Sequence, residues 1–512
     1  MTLELSFVNW LLAILPVIVL LFCLLALKWE ASCAGAASWL SAILIAIFRF
    51  GADTQLIALA NSKGMSLSVY VLLIIWTAIF LYNVADSAKA IKTIGDKISA
   101  LTDNRSLLAL LLAWGFTSVL QGLAGFGVPV AVVAPIMVAM GFPPLVAVSA
   151  CLLGHSWSIS FGSMGSSYNT IQLVTSIPGE VIAPQMALLF AVAIFATGFE
   201  VLYIEGKGSA IKRGAVPVLC AAVIMSFLLW LMTYLNMSQL ATLIAAVGGC
   251  GFLALWASKH RSEKQKSAEK PLMSFHLAAA PYYMVIAITL IAQLPPIKAV
   301  VGSLGWGLDY PAVTTAFGYT AEAVVEYSKI KFFSHPAPIL LFSALVGGAL
   351  YIRKGKTDIG VYRRALKTTI KKCIPTSVGI STMVMMALIM GDSGMTNMIA
   401  QGIAKVCGNF YPLLSPFIGV LGSFITGSNT NSNIMFGLLQ YQTGLLIGVS
   451  GVLLAAAQSV GGSLGVSMAP STIMMGAANV GLDGQETTIM RKTMKFCLLN
   501  ALLVGIVVFI AA

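Results

Sequence analysis

Thr426-Gly-Ser-Asn-Thr-Asn-Ser-Asn433 sets eight consecutive polar or glycine residues inside a stretch, 412–457, that is otherwise largely apolar. In lipid an unpaired polar group costs several kcal/mol, so irregular backbone at membrane depth survives only where it lines protein or water. The alternative is a loop lying outside the membrane. Apolar flanks on both sides speak against that, and so does an approximate echo earlier in the chain, His155-Ser-Trp-Ser-Ile-Ser-Phe-Gly-Ser-Met-Gly-Ser-Ser167. Both runs read as helices broken by polar residues that face an internal site.

The composition agrees with a lipid solvent. Of 512 residues, 58% are hydrophobic and 9% charged, against about 25% charged in soluble proteins. That deficit excludes an ordinary soluble enzyme and a disordered chain. A membrane helix needs about 20 predominantly apolar residues. Such stretches occur at 6–27, 32–49, 65–85, 106–122, 129–160, 184–204, 214–234, 238–257, 276–296, 336–352, 374–391, 412–457 and 494–512. The expected fold is all-α, a polytopic membrane transporter of about 12 transmembrane helices. A β-barrel would show weak alternating segments instead. The first span begins after Glu4 and has no obvious cleavage site, so it reads as a mature helix, not a signal peptide.

The net charge is +12. Here that implies topology, not nucleic acid, because basic residues hold loops on the cytoplasmic side. They gather at Lys89–Arg105, at Lys207–Arg213, at Lys259–Lys270, at Arg353–Lys372 and at Arg491–Lys495. Placing all five clusters inside puts both termini and segment 297–335 outside. The eight dispersed cysteines form no Cys-x-x-Cys pair and read as small apolar residues. No metal site and no cofactor is expected. The oligomeric state is not legible.

The chain also repeats itself. Gly122 and Gly391, Gly125 and Gly394, and Phe142 and Tyr411 each lie 269 residues apart. Internal repeats are a signature of secondary transporters. The loop count makes the two units parallel; one helix more or fewer makes them inverted. In the first unit Gly122-Leu-Ala-Gly-Phe-Gly-Val-Pro129 separates two apolar arms, 106–121 and 130–140, too short for two full spans. That pattern reads as a re-entrant hairpin, with a counterpart turning at Gly391–Asn397. Tight helix packing through glycine is the other reading of these turns. The organisation expected is 1–105 as N-terminal helices and inner loop and 106–205 as the first repeat core. Linking helices follow over 206–352, then the second core and last helix over 353–512.

Candidate substrate-binding residues are therefore Gly122, Gly125, Gly127, Ser156, Ser158 and Ser160 in the first unit. In the second they are Ser393, Gly394, Ser428, Asn429, Thr430, Asn431, Ser432 and Asn433. These offer hydroxyls, amides and free helix-terminal N–H groups, which suit a small polar solute or a carboxylate. Titratable groups inside spans are functional candidates. Asp392 has three possible roles: carrying a proton, ligating a cation, or capping the next helix. His155 suits proton coupling or a structural bond. Gln121 cannot carry charge and completes the candidate coupling positions. Glu200 and Glu205 read as interfacial, near a helix end. Glu322 and Glu326 stand at helical spacing on a solvated face. Lys405 either snorkels to the surface or pairs with a substrate carboxylate. A Gly-x-x-x-x-Gly-Lys-Ser/Thr run is absent, which argues against an ATP-driven pump, and His-Glu-x-x-His is absent too.

Three motifs carry a resemblance. Thr117-Ser-Val-Leu-Gln-Gly-Leu-Ala-Gly-Phe-Gly-Val-Pro-Val130 with Gly141-Phe-Pro-Pro-Leu145, then Leu421–Asn433, then Gly461-Gly-Ser-Leu-Gly-Val-Ser-Met-Ala-Pro470, resemble the lactate permease family. The resemblance runs collinearly over most of the chain. It implies a multi-pass transporter of the cytoplasmic membrane that takes up L-lactate, or glycolate or D-lactate, with protons. Two positions depart from it. The family usually has Glu where this chain has Gln121, and an Asn-Thr-Ala-Pro-like run where it has His155-Ser-Trp-Ser158. If that Glu moves the proton, coupling here falls to Asp392, His155 or a different ion. The alternatives to proton symport of a small monocarboxylate are a sodium-coupled carrier for another small organic anion and a channel for small polar solutes.

Overall fold

The structure, a computed structural model, describes residues 3–125, 127–259, 272–292, 297, 304–333, 335–482 and 484–512. Phe126 of the first turn, residues 293–296 of one expected span, and Arg261, Lys264, Lys266 and Lys270 of the third basic cluster lie outside the described residues.

Among the described residues twelve helices are long and apolar enough to cross a membrane. Three lead the chain: α1 (Phe7–Leu25), α2 (Ala31–Phe48) and α3 (Thr54–Ser87). A short helix, α4 (Ala90–Ser99), follows. The first repeat core is α5 (Arg105–Leu123), α6 (Val128–Ala139), α7 (Pro144–Gly154) and α8 (Gly162–Thr175). Next comes α9 (Gly179–Tyr234), whose 56 residues hold two spans joined at a bend, where Gly206 and Lys207 leave helical geometry. The helices α10 (Ser238–Lys259), α11 (Phe275–Ala292) and α12 (Pro336–Arg353) link to the second core. That core is α13 (Val361–Asp392), α14 (Met395–Cys407), α15 (Tyr411–Thr426), α16 (Asn429–Leu446) and α17 (Gly451–Gly465). The short α18 (Pro470–Ala478) and the final α19 (Glu486–Ala511) close the chain.

The same order recurs in both cores: a long helix, a tight turn, a short helix, and then a helix interrupted partway. The second arm of each hairpin starts at a glycine with positive φ, Gly127 (81°) and Gly394 (85°). A side chain at either would be strained, and the Tyr319 ring packs where a Cβ on Gly394 would go. The turn of the second hairpin is thus Ser393–Gly394, narrower than the expected Gly391–Asn397.

Helix α5 is almost wholly enclosed, whereas α1, α2 and α19 turn large apolar side chains outward. Phe48 is 82% exposed and Ile510 79%. On a soluble protein such a surface would be an aggregation hazard; against hydrocarbon it needs no cover. Since lipid is as apolar as leucine, helices here must hold together by close packing and internal hydrogen bonds. The α15–α17 contact shows how. A Cβ on Gly461 would run into the carbonyl of Pro416, and one on Gly419 into that of Gln458. Glycines on both sides let the two backbones touch.

Segment 304–333 is the exception to helix. Strand β1 (Gly305–Tyr310) pairs antiparallel with β4 (Val324–Lys331), and β2 (Val313–Thr314) with β3 (Thr320–Ala321). This corrects the helical spacing read for Glu322 and Glu326. Glu326 lies in β4, and both are exposed as expected. The hairpin is pinned to α3 where Ser62 and Ser66 meet the Tyr310 hydroxyl at 3.0 and 2.8 Å. The strand-favouring Val324, Val325, Tyr327 and Ile330 outweigh a two-glutamate spacing.

Among the described residues the first, second, fourth and fifth basic clusters lie toward one end of the molecule. Glu205 approaches both Arg105 and Arg213, at 3.5 and 4.0 Å. Lys207 shares a groove with Arg491, Lys492 and Lys495. Lys356 donates to the Leu272 carbonyl, 2.7 Å. Asn83, at the foot of α3, donates to Thr369 of α13, 2.9 Å.

Replacing Gly461 by Val should separate α15 from α17 and destabilise the protein by about 1–3 kcal/mol, the range for an overpacked core. Thermal unfolding of detergent-solubilised protein would read this, and an unchanged midpoint would refute the seam.

Candidate functional site

The two interrupted helices meet. Helix α7 ends at Gly154, a 3₁₀ turn (Ser156–Ser158) follows, and the chain bends by 52° into α8. Ser163, Met164 and Gly165 all take left-handed backbone, with φ of 47°, 54° and 75°. Two of the three are not glycine, and each costs about 1–2 kcal/mol in that conformation. The turn persists because other bonds hold it. Ser163 Oγ accepts from the Gly125 N–H at 2.7 Å, tying the break to the first hairpin turn. The Tyr168 N–H donates to the Ser160 carbonyl at 3.0 Å. In the second core Gly427 (φ 71°) ends α15, and Ser428 caps α16.

Asn429 Nδ2 donates to Ser160 Oγ at 2.8 Å, and these two residues stand 269 apart in sequence. That is the offset of the glycine echo, so corresponding positions of the two repeats touch. Ser167 and Thr430 share a hydrogen bond of 2.9 Å. Asn433 Nδ2 donates to the Ser167 carbonyl at 3.0 Å and to Ser459 Oγ at 2.9 Å. Helix α17 braces both breaks. Ser459 takes the Ser160 hydroxyl, Ser463 bonds Ser156 and Ile159, and Gln458 bonds Ser432.

Between the breaks lies a cavity of about 240 Å³. Of the expected residues, Gln121, Gly127, His155, Ser428, Asn429, Thr430 and Asn431 line it. The rest surround it or lie apart. Gly122 packs on Leu243, and Gly125 lies between Gln121 and Ser163. Ser156 and Ser158 spend their hydroxyls on the carbonyls of Leu153 and His155. Ser160, Ser432 and Asn433 form the network behind the wall. Ser393 and Gly394 border a different pocket, beside Tyr319 and Asn397.

Among the described residues no lining residue is formally charged, and His155 is the one titratable side chain on the wall. Its Nδ1 lies 2.6 Å from the Cys151 carbonyl. A carbonyl only accepts, so Nδ1 carries the hydrogen and Nε2 is the ring atom left for a ligand. Positive potential comes from helix ends. The N-terminus of α16 reaches the cavity through Ser428–Asn431, and that of α18 through Ser471 and Thr472. First-turn N–H groups have no helical partner and favour anions. The Oδ1 atoms of Asn429 and Asn431 are buried without a donor among the described residues.

Sequence reasoning missed Ser163, Ser166, Ser167, Ser471, Thr472 and Met475 on this wall. The first three lay inside the quoted polar run and could have been named. Ser471 and Thr472 directly follow Pro470, a helix-start signal.

Asp392 does not reach this cavity. It pairs with Lys63 at 3.1 Å, in a contact where the side chains are 18% and 7% exposed. Capping is also excluded, because Gly394 stands at the head of α14. Lys63 escaped notice because the span was read from 65, whereas α3 begins at Thr54. Glu200 is buried in protein, 5% exposed, on the leg of α9 that ends at Gly206. Glu205 is held by Arg105, Arg213 and Ser106, the last at 2.9 Å. Lys405 is exposed, as snorkelling requires.

The sequence comparisons agree with one another. The sequence model of the family described as L-lactate permease matches residues 9–512. An L-lactate permease of Bacillus subtilis (strain 168) is 26% identical, over 97% of this chain and 95% of its own. A glycolate permease of Escherichia coli (strain K12) is also 26% identical, over 98% and 95%. Among solved structures, the Alcanivorax borkumensis YdaH transporter aligns with a TM-score of 0.48 at 15% identity, covering 89% of this chain and 87% of that one.

Asp392→Asn alone strands the Lys63 ammonium, and removing one partner of a buried pair costs about 3–5 kcal/mol. The double variant Lys63→Met, Asp392→Asn should recover most of that loss. Thermal melts of the three proteins test this; additive losses would show that the pair is not energetically coupled.

Proposed function

This chain belongs to the L-lactate permease family, and from that premise we propose that it imports L-lactate or a related small 2-hydroxymonocarboxylate, such as glycolate or D-lactate, by proton symport. It is a carrier and not an enzyme. The observation that supports this best is the junction of the two broken helices: two helix N-termini and a set of amide and hydroxyl groups around a small cavity with no charged wall.

The chemistry matches a 2-hydroxy acid. The carboxylate lies against the free N–H groups heading α16 and α18, where the helix dipoles favour negative charge. The 2-hydroxyl donates to Asn429 or Asn431 Oδ1, the acceptors without a donor. His155 Nε2, the acceptor of the neutral ring, is the other group that can take the same 2-hydroxyl hydrogen. A fixed Lys or Arg would bind the anion more tightly, but release on the other side would then be slow. Neutral donors bind and let go.

Alternating access follows from the shared junction. The cavity is walled by both repeats, so moving one core against the other opens it to one side and then the other. The end carrying the basic clusters is the cytoplasmic one by the positive-inside rule, with both termini outside in the plasma or inner membrane. Gln121 and His155 lie at the cavity. Asp392 is engaged with Lys63 outside it.

Purified protein in vesicles should accumulate labelled L-lactate when a proton gradient is imposed and stop when a protonophore collapses it. Accumulation that survives without any gradient, or that follows sodium alone, would overturn proton symport. Asn429→Leu and Asn431→Leu should abolish uptake while the protein stays in the membrane. Wild-type uptake by both would remove this junction from the binding site.

A further inference from the structure

Glu200 takes no part in the cavity, and its surroundings are unusual for an acid. It lies on the first leg of α9 and is the only Asp or Glu among the described residues that is fully buried. Neither carboxyl oxygen has a hydrogen-bond partner among the described residues. No Lys or Arg pairs with it there, in contrast to Glu205 on the same leg. Helices α5, α7, α10, α17 and α19 pack against α9. What faces Glu200 comes from α19: Asn500, the polar group, and Cys497, the titratable one. Both polar atoms of the Asn500 side chain also lack partners at bonding geometry.

The position links this acid to the transport site. Cys497 Sγ donates to the Leu464 carbonyl at 3.3 Å. Leu464 stands just before the 3₁₀ turn Val466–Met468. Val466 and Thr472, joined by a 2.7 Å hydrogen bond, form part of the cavity wall. Glu200 therefore lies behind that wall, on the side away from the substrate. Its leg runs on to the bend at Gly206–Lys207, beside Arg105 and Arg213 at the basic end of the molecule.

Titratable groups inside a membrane are costly and mark proton paths. A buried carboxylate with no paired cation costs several kcal/mol, even with the Asn500 amide facing it. As the neutral acid, Glu200 gains an O–H donor that Asn500 Oδ1 can accept. We propose that Glu200 holds the coupling proton during import. The step is a proton transfer and nothing more. An O–H bond forms on one Glu200 oxygen with a proton from the outer water, and that bond breaks when the proton leaves to the inner water. This rests on the reading of the chain as a proton-coupled importer.

The test uses the purified full chain in lipid vesicles, with Glu200→Gln as a mimic of the neutral acid. Exchange of labelled for unlabelled L-lactate at equal concentrations should persist. Proton-driven accumulation and lactate-driven proton uptake should both be lost. Glu200→Asp should restore proton uptake with a displaced pH profile, which a packing role would not do. Infrared difference spectra of the wild type should contain a protonated-carboxyl band that Glu200→Gln lacks. Proton uptake by Glu200→Gln at the wild-type ratio to lactate would overturn the proposal. So would loss of exchange in Glu200→Gln and Glu200→Asp with both proteins in the membrane. A wild type that exchanges no lactate would instead overturn the transport reading on which the proposal stands.

Discussion

The hydrogen bond from Asn429 Nδ2 to Ser160 Oγ joins two helices at the points where both stop being helical. Hydrocarbon offers no water to an interrupted backbone, so each break must be satisfied by protein. Here the breaks bond each other, and α17 adds further bonds through Ser459, Ser463 and Gln458. Neither break could sit at this depth alone. The glycines that bring α15 onto α17, and the left-handed turn at Ser163–Gly165, exist in the service of this mutual arrangement.

The parts of the fold written in composition were legible. Apolar length gives the spans, and a constant offset between glycines gives the repeat, because both are properties of local sequence. Segment 304–333 was less legible, since its strands are short and they pack on α3 across more than two hundred residues of sequence. Within the site, the polar run at 426–433 announced itself by contrast with its flanks. Its counterpart is longer, and nothing local distinguishes Ser158, which bonds its own helix, from Ser163, which faces the cavity. That difference is created by three left-handed residues.

Charge placement followed a similar rule. Basic loops could be grouped from sequence, but partners across the fold could not. Lys63 finds Asp392 over more than three hundred residues, and Glu205 finds Arg105 over one hundred. Glu200 and Glu205 are five positions apart and have opposite fates: the first is sealed without a counter-ion, the second is held by two guanidinium groups and a hydroxyl. Helical rotation of about 100° per residue separates them onto different faces.

The uncharged wall of the central cavity has an electrical consequence. A binding chamber that carries a fixed ion drags that charge through the membrane field whenever it changes sides. At about 2.3 kcal/mol per charge per 100 mV, voltage would then bias every cycle. This wall is made of glycine, hydroxyls, amides, apolar groups and one imidazole, so the chamber contributes no fixed charge of its own. Under the proposed symport, one anion crossing with one proton sums to zero, so membrane potential would have little purchase and acidity would drive such a carrier.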